Sequence, residues 1–478
     1  MYGFVKNNKG VVLILVIIFN VILSLTGLAF LYMSSNERIF VQDEVQRYRA
    51  LYVAEAGFER AKSWLQCLSQ DQKVAGEINP FNGEVIFEPI PAAAQGKYSV
   101  SIVPDSGNSG KVEKLYVVTS SGSVGNVIKV IKARIKIVNF ARFAFFSDME
   151  YPGGATHLGN NWKDRIWTTT ADIFSGPVHS NDELSICGQP QFSKNLLTGR
   201  YEVSTSSDIF YFNCKQSRTD GGTGDPLNLP SGLYPKVDRI NMFKDWNLAR
   251  LKSVAQTKSG LVLVGDQNIV LYNTYLTHNG ASWPIPSEAS TSAALVFVTG
   301  NVTIKSNKNI SGEVTKLQRY LTIVSSGSSA ANGKMFVTGS INVDTNTLSS
   351  EGMLGLVASN DIIVNVPVSE NQVAIQAIMM TYKSFWADGW DTKFKPPTNP
   401  TAGYVGIKGE IDILGGLIQG VRSCVGQAYA SSYASDLKTG YKKNFVYDKR
   451  VLNRQPPYFP RYFEVKPFVW WEEPMKRI

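Results

Sequence analysis

The sequence predicts an α+β module at the N-terminus, made of one long helix and an antiparallel β meander, followed by an all-β domain expected to be a parallel β-solenoid. Three observations predict this: a charge-free apolar run that passes into an amphipathic segment, alternating strands after it, and a strand-and-corner pattern that recurs through the remainder. The expected divisions are a basic leader (1–10), a transmembrane helix (11–33), an amphipathic continuation of that helix (34–68), the meander (69–140) and a solenoid-like head (141–478).

The composition is that of a folded protein with a mildly basic surface. Of the 478 residues, 44% are hydrophobic and 18% are charged, which argues against wholesale disorder. The formal net charge is +9, which indicates either a solvated basic surface or an anionic partner such as lipid. Nucleic acid is not an expected partner, because no long basic run is interleaved with aromatic side chains.

The anchor is the run Val11–Met33, in which 23 consecutive residues carry no formal charge. A helix of that length spans a bilayer core of about 30 Å. A buried core helix would not be apolar all round its circumference at the extreme N-terminus, and a cleaved signal would have a shorter apolar run with a small-residue cleavage site. Lys6 and Lys9 precede the run, so the positive-inside tendency places the remainder outside the cytoplasm.

The helix is expected to continue beyond the membrane. Residues 34–68 contain no proline, and their one glycine is Gly57. Apolar residues recur there at steps of mainly three and four, which predicts an amphipathic helix with one packing face. The predicted face comprises Val41, Val45, Tyr48, Leu51, Tyr52, Phe58, Ala61, Leu65 and Leu68.

The N-terminal segment resembles the N-terminal domain of PilX-type minor pilins of bacterial type IV pilus systems. The resemblance rests on a short leader ending in Lys9-Gly10, an apolar helix starting at once, and a family motif whose residues are Ala54, Glu55, Ala56, Gly57 and Glu59. It implies cleavage by a prepilin peptidase between Gly10 and Val11. It also implies a membrane-anchored structural protein whose partners are other minor pilins and the pilus-assembly platform. One departure is Leu15, where such pilins usually carry glutamate at the fifth mature position.

The segment after the helix alternates with period two. Residues 97–104, 115–119 and 127–138 place apolar side chains opposite polar or basic ones, and Asp-Ser-Gly-Asn and Ser-Ser-Gly turns separate them. Such a meander buries one face against the helix and leaves the lysine-rich face solvated.

Beyond residue 140 a pattern of short apolar strands and small or Asn-containing corners recurs. Val298-Thr299-Gly300-Asn301-Val302 and Val337-Thr338-Gly339-Ser340-Ile341 lie 39 residues apart with a related segment between them, which predicts a period near 20. A β-sandwich is the alternative. This part resembles uncharacterised domains that follow pilin-like N-termini in bacteria, which share a Gly-Pro-Val-His-Ser-Asn segment (176–181) and a late Tyr-Asp-x-Arg segment followed by Pro-Pro (447–457).

No motif of catalysis, cofactor binding or metal binding is found, so a non-enzymatic protein without cofactors is expected. Of the histidines His157, His179 and His278, His179 invites a catalytic reading with Asp172 or Asp182, but a polar corner bonding the backbone is the simpler interpretation. The alternative function is a membrane-tethered solenoid that binds or cleaves a surface glycan. Among Cys67, Cys187, Cys214 and Cys424, the pair Cys187–Cys214 is the disulfide candidate in an exported domain, with buried free thiols as the alternative.

Overall fold

The chain folds as a long helix on an antiparallel sheet, joined to a larger region built mainly from parallel strands. In the computed structural model the described residues are 9–67, 78–85, 96–104, 113–150, 166, 168–169, 172–187, 191–193, 203–205, 209–212, 233–234, 237–287, 290–345, 352–367, 372–390, 408–428, 437–452, 455–464 and 471–472.

Helix α1 (Lys9–Cys67) is continuous over 59 residues. Residues 12–42, which include nearly all of the apolar run, are exposed. This exposure is expected of a membrane helix when the bilayer is absent. Within the described part of the chain, α1 is the one helix long and apolar enough to cross a membrane. The predicted single anchor and its extension as one helix therefore agree with the structure.

The first sheet is the predicted meander. Its strands β1 (Ile78–Val85), β2 (Gly96–Pro104), β3 (Glu113–Val124) and β4 (Val127–Asn139) pair antiparallel in chain order. The predicted Ser-Ser-Gly turn (120–122) is wrong, because these residues lie inside β3 and remain paired with β4. The two strands are joined instead by the two-residue turn 125–126, and Gly125 at φ 57° supplies its left-handed residue. The inward side chains of β2, β3 and β4 pack against the C-terminal third of α1, from Phe58 to Leu65.

Among its described residues, the remaining region contains helix α2 (Lys244–Thr257) and twenty-six strands before the C-terminal segment. The bounds of these strands are β5 Phe145–Met149, β6 Thr168–Thr169, β7 Ile173–Ser175, β8 Val178–Ser180, β9 Leu184–Cys187, β10 Gln191–Ser193, β11 Val203–Thr205, β12 Ile209–Phe212, β13 Leu233–Tyr234, β14 Leu261–Val264, β15 Gln267–Leu271, β16 Tyr275–His278, β17 Ala281–Pro284, β18 Leu295–Thr299, β19 Val302–Ser306, β20 Lys316–Leu317, β21 Tyr320–Ser326, β22 Met335–Val337, β23 Asn342–Val343, β24 Met353–Ala358, β25 Ile362–Val364, β26 Gln372–Thr381, β27 Phe385–Ala387, β28 Gly409–Val421, β29 Gly426–Ala428 and β30 Leu437–Tyr447.

Two parallel sheets dominate this region. The large sheet has the order β13-β11-β8-β5-β28-β26-β24-β21-β18-β14, and the second has β15-β19-β22-β25-β27, with the β16–β17 hairpin antiparallel on β15. Successive passes of the chain alternate between the two sheets, and their inward side chains form one hydrophobic core. Helix α2 covers the outer face of the large sheet over β14 and β18, where Leu251 and Ala255 pack.

The predicted period near 20 is wrong. Val296, Ile323, Leu356 and Met379 occupy one row of the large sheet, so successive passes are offset by 27, 33 and 23 residues. The two similar segments 298–302 and 337–341 are not equivalent, because the first begins at the end of β18 in the large sheet and the second begins at the end of β22 in the other sheet. Corner loops of unequal length explain the irregular spacing, since only the strands are held in register.

The order of strands in the large sheet departs from chain order. Strand β28 pairs with β26 on one side and with β30 and then β5 on the other. The passes made by residues 145–234 therefore stack beyond the last passes of the chain rather than before the first. The chain crosses to β14, at the other end of the sheet, through the segment that contains α2.

The C-terminal segment returns to the first sheet. Strands β31 (Arg461–Glu464) and β32 (Trp471–Glu472) pair antiparallel with β4, on the edge opposite β3. Residues assigned by sequence to the head thus complete the N-terminal sheet, although the division at residue 140 itself stays a prediction.

Candidate functional site

The Ala54–Glu59 motif on α1 lies where the helix approaches the first sheet closely. A Cβ atom at Gly57 would lie 2.4 Å from Ser120 Oγ, and the Ser120 hydroxyl donates a 2.7 Å hydrogen bond to the Ala54 carbonyl. A second approach lies one turn earlier, where a Cβ atom at Gly122 would lie 2.3 Å from the Ala50 carbonyl oxygen. Small residues on both elements are therefore required for this packing.

The rest of the motif faces away from that seam. Glu55 and Ala56 are half-buried, and Glu59 is exposed and pairs with Lys62 at 3.1 Å. Ala54 and Gly57 thus account for the packing role of the motif, and the carboxylates lie on its solvent side.

The predicted packing face of α1 is partly wrong. The face that meets the sheet comprises Ala50, Val53, Ala54, Gly57, Phe58, Ala61 and Leu65. By contrast, Val41, Val45, Tyr48 and Tyr52 are 58%, 40%, 56% and 58% exposed. Ala50, Ala54 and Gly57 permit the closest backbone approach to the sheet, whereas the four larger residues named above stay outside the contact. Leu51 is half-buried, and Leu68 lies outside the described residues.

These exposed residues form a stripe on the extramembrane part of α1, named here the outer stripe (Val41, Val45, Tyr48 and Tyr52). Their spacing of four, three and four places them on one face of the helix. Tyr52 and Ala54 differ by two positions, or about 200° around the helix, so the outer stripe lies opposite the sheet. Apolar area of this kind, on a helix already docked by its other face, is typical of a protein–protein contact.

The predicted cleavage site lies at the start of the helix. Gly10 and Val11 belong to the first turn of α1, while residues 1–8 lie outside the described part of the chain. Leu15 is 64% exposed within the apolar run. Cleavage between Gly10 and Val11 stays a prediction.

His179 lies inside the large sheet rather than at its surface. Its side chain is 1% exposed, stacks on Phe146 at 5.3 Å, and has Nδ1 2.8 Å from Ser204 Oγ and Nε2 2.9 Å from Asn181 Oδ1. Since the Asn181 carbonyl oxygen only accepts, Nε2 carries the proton and Nδ1 accepts from the Ser204 hydroxyl. Burial lowers the pKa of His179 to about 4, so the ring is neutral at pH 7.

Asn181 ties this cluster to the segment before α2. Its Oδ1 accepts from the Ile240 amide at 2.8 Å and its Nδ2 donates to the Ile240 carbonyl at 2.7 Å, so one side chain satisfies both backbone groups of that residue. Nδ2 also donates to Asp148 Oδ1 at 2.6 Å. The partners considered from sequence lie elsewhere: Asp172 pairs with Lys443 at 3.7 Å, and Asp182 accepts from the Glu150 amide at 3.1 Å.

A buried ion pair, which sequence reasoning missed, joins two residues that are 272 positions apart in the chain. Arg422 and Glu150 are each 1% exposed, and Arg422 donates to Glu150 Oε2 and to Thr168 Oγ1, both at 2.8 Å. The guanidinium also lies 5.2 Å from the Phe145 ring centroid. Burial would lower the pKa of Arg422, but the Glu150 charge offsets it and the pKa is raised overall.

The late Tyr-Asp-x-Arg segment forms a second buried polar cluster. Arg450 binds Asp448 through Nε and through its terminal nitrogen at 2.7 Å, and donates to the carbonyls of Asp344 at 2.9 Å and Gly352 at 2.6 Å. The motif therefore links the C-terminal segment to the end of β23, next to Asp344, and to the start of β24, next to Gly352.

The cysteines and the other histidines carry less information. Cys187 ends β9 and Cys67 ends α1, but their side chains lie outside the described set, as do Cys214 and His157, so the Cys187–Cys214 pair stays a prediction. Cys424 is a free thiol whose pKa burial raises, and His278 is half-buried in β16. Among the described residues, no group of three or more His, Cys, Asp and Glu side chains is arranged to hold a metal ion.

Comparisons with known proteins give a match to a family model and a weak likeness to a solved structure. Residues 97–200 match the family model described as a domain of unknown function, DUF4900. No curated protein matches the chain. Among solved structures, the competence-associated pilin ComZ from Thermus thermophilus is 13% identical over 91% of this chain and 98% of that chain, with a TM-score of 0.34, which does not establish a common fold.

Proposed function

We propose that this protein is a membrane-anchored minor pilin-like subunit of the PilX type, which joins a type IV pilus or a related secretion filament. The observation that carries the proposal is α1 itself. One helix presents an exposed apolar run, then the outer stripe, and then the small-residue seam that fixes it to the first sheet. Such a helix is suited to leave the bilayer and pack against neighbouring helices while holding a large domain at its end.

The partners that follow from this proposal are other minor pilins, the assembly platform and a prepilin peptidase acting between Gly10 and Val11. The β-rich part would then lie outside the cytoplasm, with Lys6 and Lys9 of the leader on the cytoplasmic side. A surface ligand of the head, such as a glycan, belongs to the same proposal as an adhesive role.

A position at or near the filament tip is part of the proposal. Leu15 stands where shaft pilins carry a glutamate that neutralises the N-terminal amine of a neighbouring subunit, so this subunit is poorly suited to join beneath another. The size of the β-rich part supports the same position, because it would obstruct close stacking along a shaft.

We further propose that the parallel sheets are the walls of a β-solenoid and that this head is structural rather than catalytic. The alternation of successive passes between two sheets around one core supports the first part. The second is supported by His179, which is 1% exposed with both ring nitrogens engaged by neighbouring side chains. His179→Ala and Asp182→Ala should therefore change filament assembly only through stability.

The test is to shear surface filaments and ask whether the chain is recovered with them and whether its N-terminus begins at Val11. We expect Tyr48→Glu to lower recovery in the filament fraction while membrane levels hold, because it places a charge on the outer stripe. Tyr48→Phe is the matched control and should behave as wild type. Wild-type chains that never enter filaments, or that are recovered in them still starting at Met1, would contradict the proposal, as would regular labelling along shafts for the tip position.

A further inference from the structure

The C-terminal segment contacts two parts of the fold that are far apart in sequence. We propose that residues 455–464 are a closing strap, a segment of the same chain whose seat is formed by the outer face of the large sheet and the edge of β4. The helix-bearing sheet is then completed only when this late segment has docked. The inference is independent of the role in a filament.

The first half of the seat is a trough of small residues on the large sheet. Thr322 and Gly355 are neighbours in register on β21 and β24. A Cβ atom at residue 355 would lie 2.8 Å from both the Pro456 and Phe459 side chains, so glycine is what lets the strap lie there. The Thr322 hydroxyl donates to the Pro457 carbonyl. Phe459 is fully buried at this contact.

The middle of the strap is held in a costly backbone conformation. Tyr458 has φ 58°, the left-handed region that non-glycine residues rarely adopt and that costs about 1 kcal/mol or more. It is fixed there by Arg250 of α2, which donates a 2.8 Å hydrogen bond to its carbonyl, and by Lys258, 5.7 Å from its ring centroid. These contacts hold Tyr458 in a backbone conformation that it would rarely adopt alone, as expected of a specific docking site.

The second half of the seat is β4. The Phe140 amide donates to the Pro460 carbonyl at 3.1 Å, after which Arg461 pairs with Asn139 and Tyr462 with Val138 as strand β31 begins. Tyr462 is 3% exposed, and its ring centroid lies 4.9 Å from that of Phe140. The strap therefore adds a strand to an edge that would otherwise present unpaired backbone groups.

The decisive measurement is amide hydrogen exchange on the full-length protein in detergent. In Tyr462→Ala, the amides of residues 136–139, which pair with β31, should exchange about tenfold faster or more, because loss of the ring loosens the added strand, while the amides of β18 keep their rates. Tyr275→Ala, a matched change at an exposed tyrosine of β16, should leave residues 136–139 at their wild-type rates. Equal rates on β4 in Tyr462→Ala and Tyr275→Ala would overturn the proposal.

A second measurement asks whether the strap is held by its contacts alone. A protease site placed at residues 453–454 of the full-length protein allows the chain to be nicked just before the strap. We expect the C-terminal fragment made by the cut to stay bound in the wild-type protein. In the Tyr462→Ala protein it should dissociate about tenfold faster. A fragment that leaves at once while β4 exchange is unchanged would refute the proposal.

Discussion

Replacing Arg422 by methionine should be among the most damaging single changes in the parallel region. The substitution leaves the Glu150 carboxylate in a site where it is 1% exposed, and removes the donors 2.8 Å from Glu150 and from Thr168. Breaking a buried pair by deleting one partner costs about 3–5 kcal/mol, because the other charge stays desolvated. The loss of the Phe145 contact adds to this in the same direction.

The comparison that isolates the ion pair uses two further variants. Glu150→Leu combined with Arg422→Met removes both charges and should recover most of the lost stability, since a buried pair contributes little beyond an apolar replacement of similar volume. Lys442→Met is the control, because Lys442 pairs with Glu410 at 3.2 Å but both side chains are about half exposed, and such pairs contribute about 0–1 kcal/mol.

The assay is urea unfolding of the full-length proteins in detergent, followed by near-ultraviolet circular dichroism. Arg422→Met should shift the midpoint far more than Lys442→Met, and the double variant should move back toward wild type. The reasoning is refuted if Arg422→Met and Lys442→Met are equally stable, or if the double variant is as unstable as the single one.

Three other outcomes are expected. Gly57→Ala should destabilise the module by about 1–3 kcal/mol, measured by proteolysis of the β3–β4 hairpin, whereas Gly27→Ala has no atom within 4 Å of the added carbon and should be neutral. The depressed pKa of His179 means that the unfolded chain binds the extra proton, so stability is complete above pH 6.5 and falls by about 3 kcal/mol as the pH drops to 4. This slope should vanish in urea titrations of His179→Gln, and its persistence there would show that another group is responsible. The run from Val11 should keep the protein in the membrane pellet through carbonate washes, and unprocessed protein in the supernatant would contradict the anchor.

The two family-like motifs show how far short-range sequence signals reach. The Gly-Pro-Val-His-Ser-Asn segment was expected to be a polar corner that bonds the backbone, but His179 lies within β8 and contacts two side chains. Asn181 does bond backbone groups, but they belong to Ile240, 59 residues away. The segment's contact with Ser204 and its hold on Ile240 could not be foreseen, because both partners come from other passes of the chain. The Tyr-Asp-x-Arg segment was noted without a role, and its role depends on two carbonyls roughly a hundred residues earlier.

Helix α1 shows which features follow from local sequence and which depend on contacts with distant residues. Its length and apolar run follow from composition and period, which each residue expresses with its near neighbours. The face that docks on the sheet cannot be predicted in this way. Ala50, Ala54 and Gly57 contact β3, where Ser120 and Gly122 allow the two backbones to approach closely. The larger Val41 and Tyr48 remain exposed. Hydrophobic periodicity reports where apolar residues recur, but it does not report how closely two surfaces can pack.

The sequence by itself determined the anchor, the continuous helix, the antiparallel meander and the strand-rich remainder, since all of these are written in charge, period and turn residues within short windows. Only the tertiary structure decided that β5 lies beside β28, that Glu150 meets Arg422, and that the last strands close the first sheet. The physical reason is that pairing between distant segments is selected by the joint packing of the whole core, and strands of similar apolar pattern are locally interchangeable until that core is assembled.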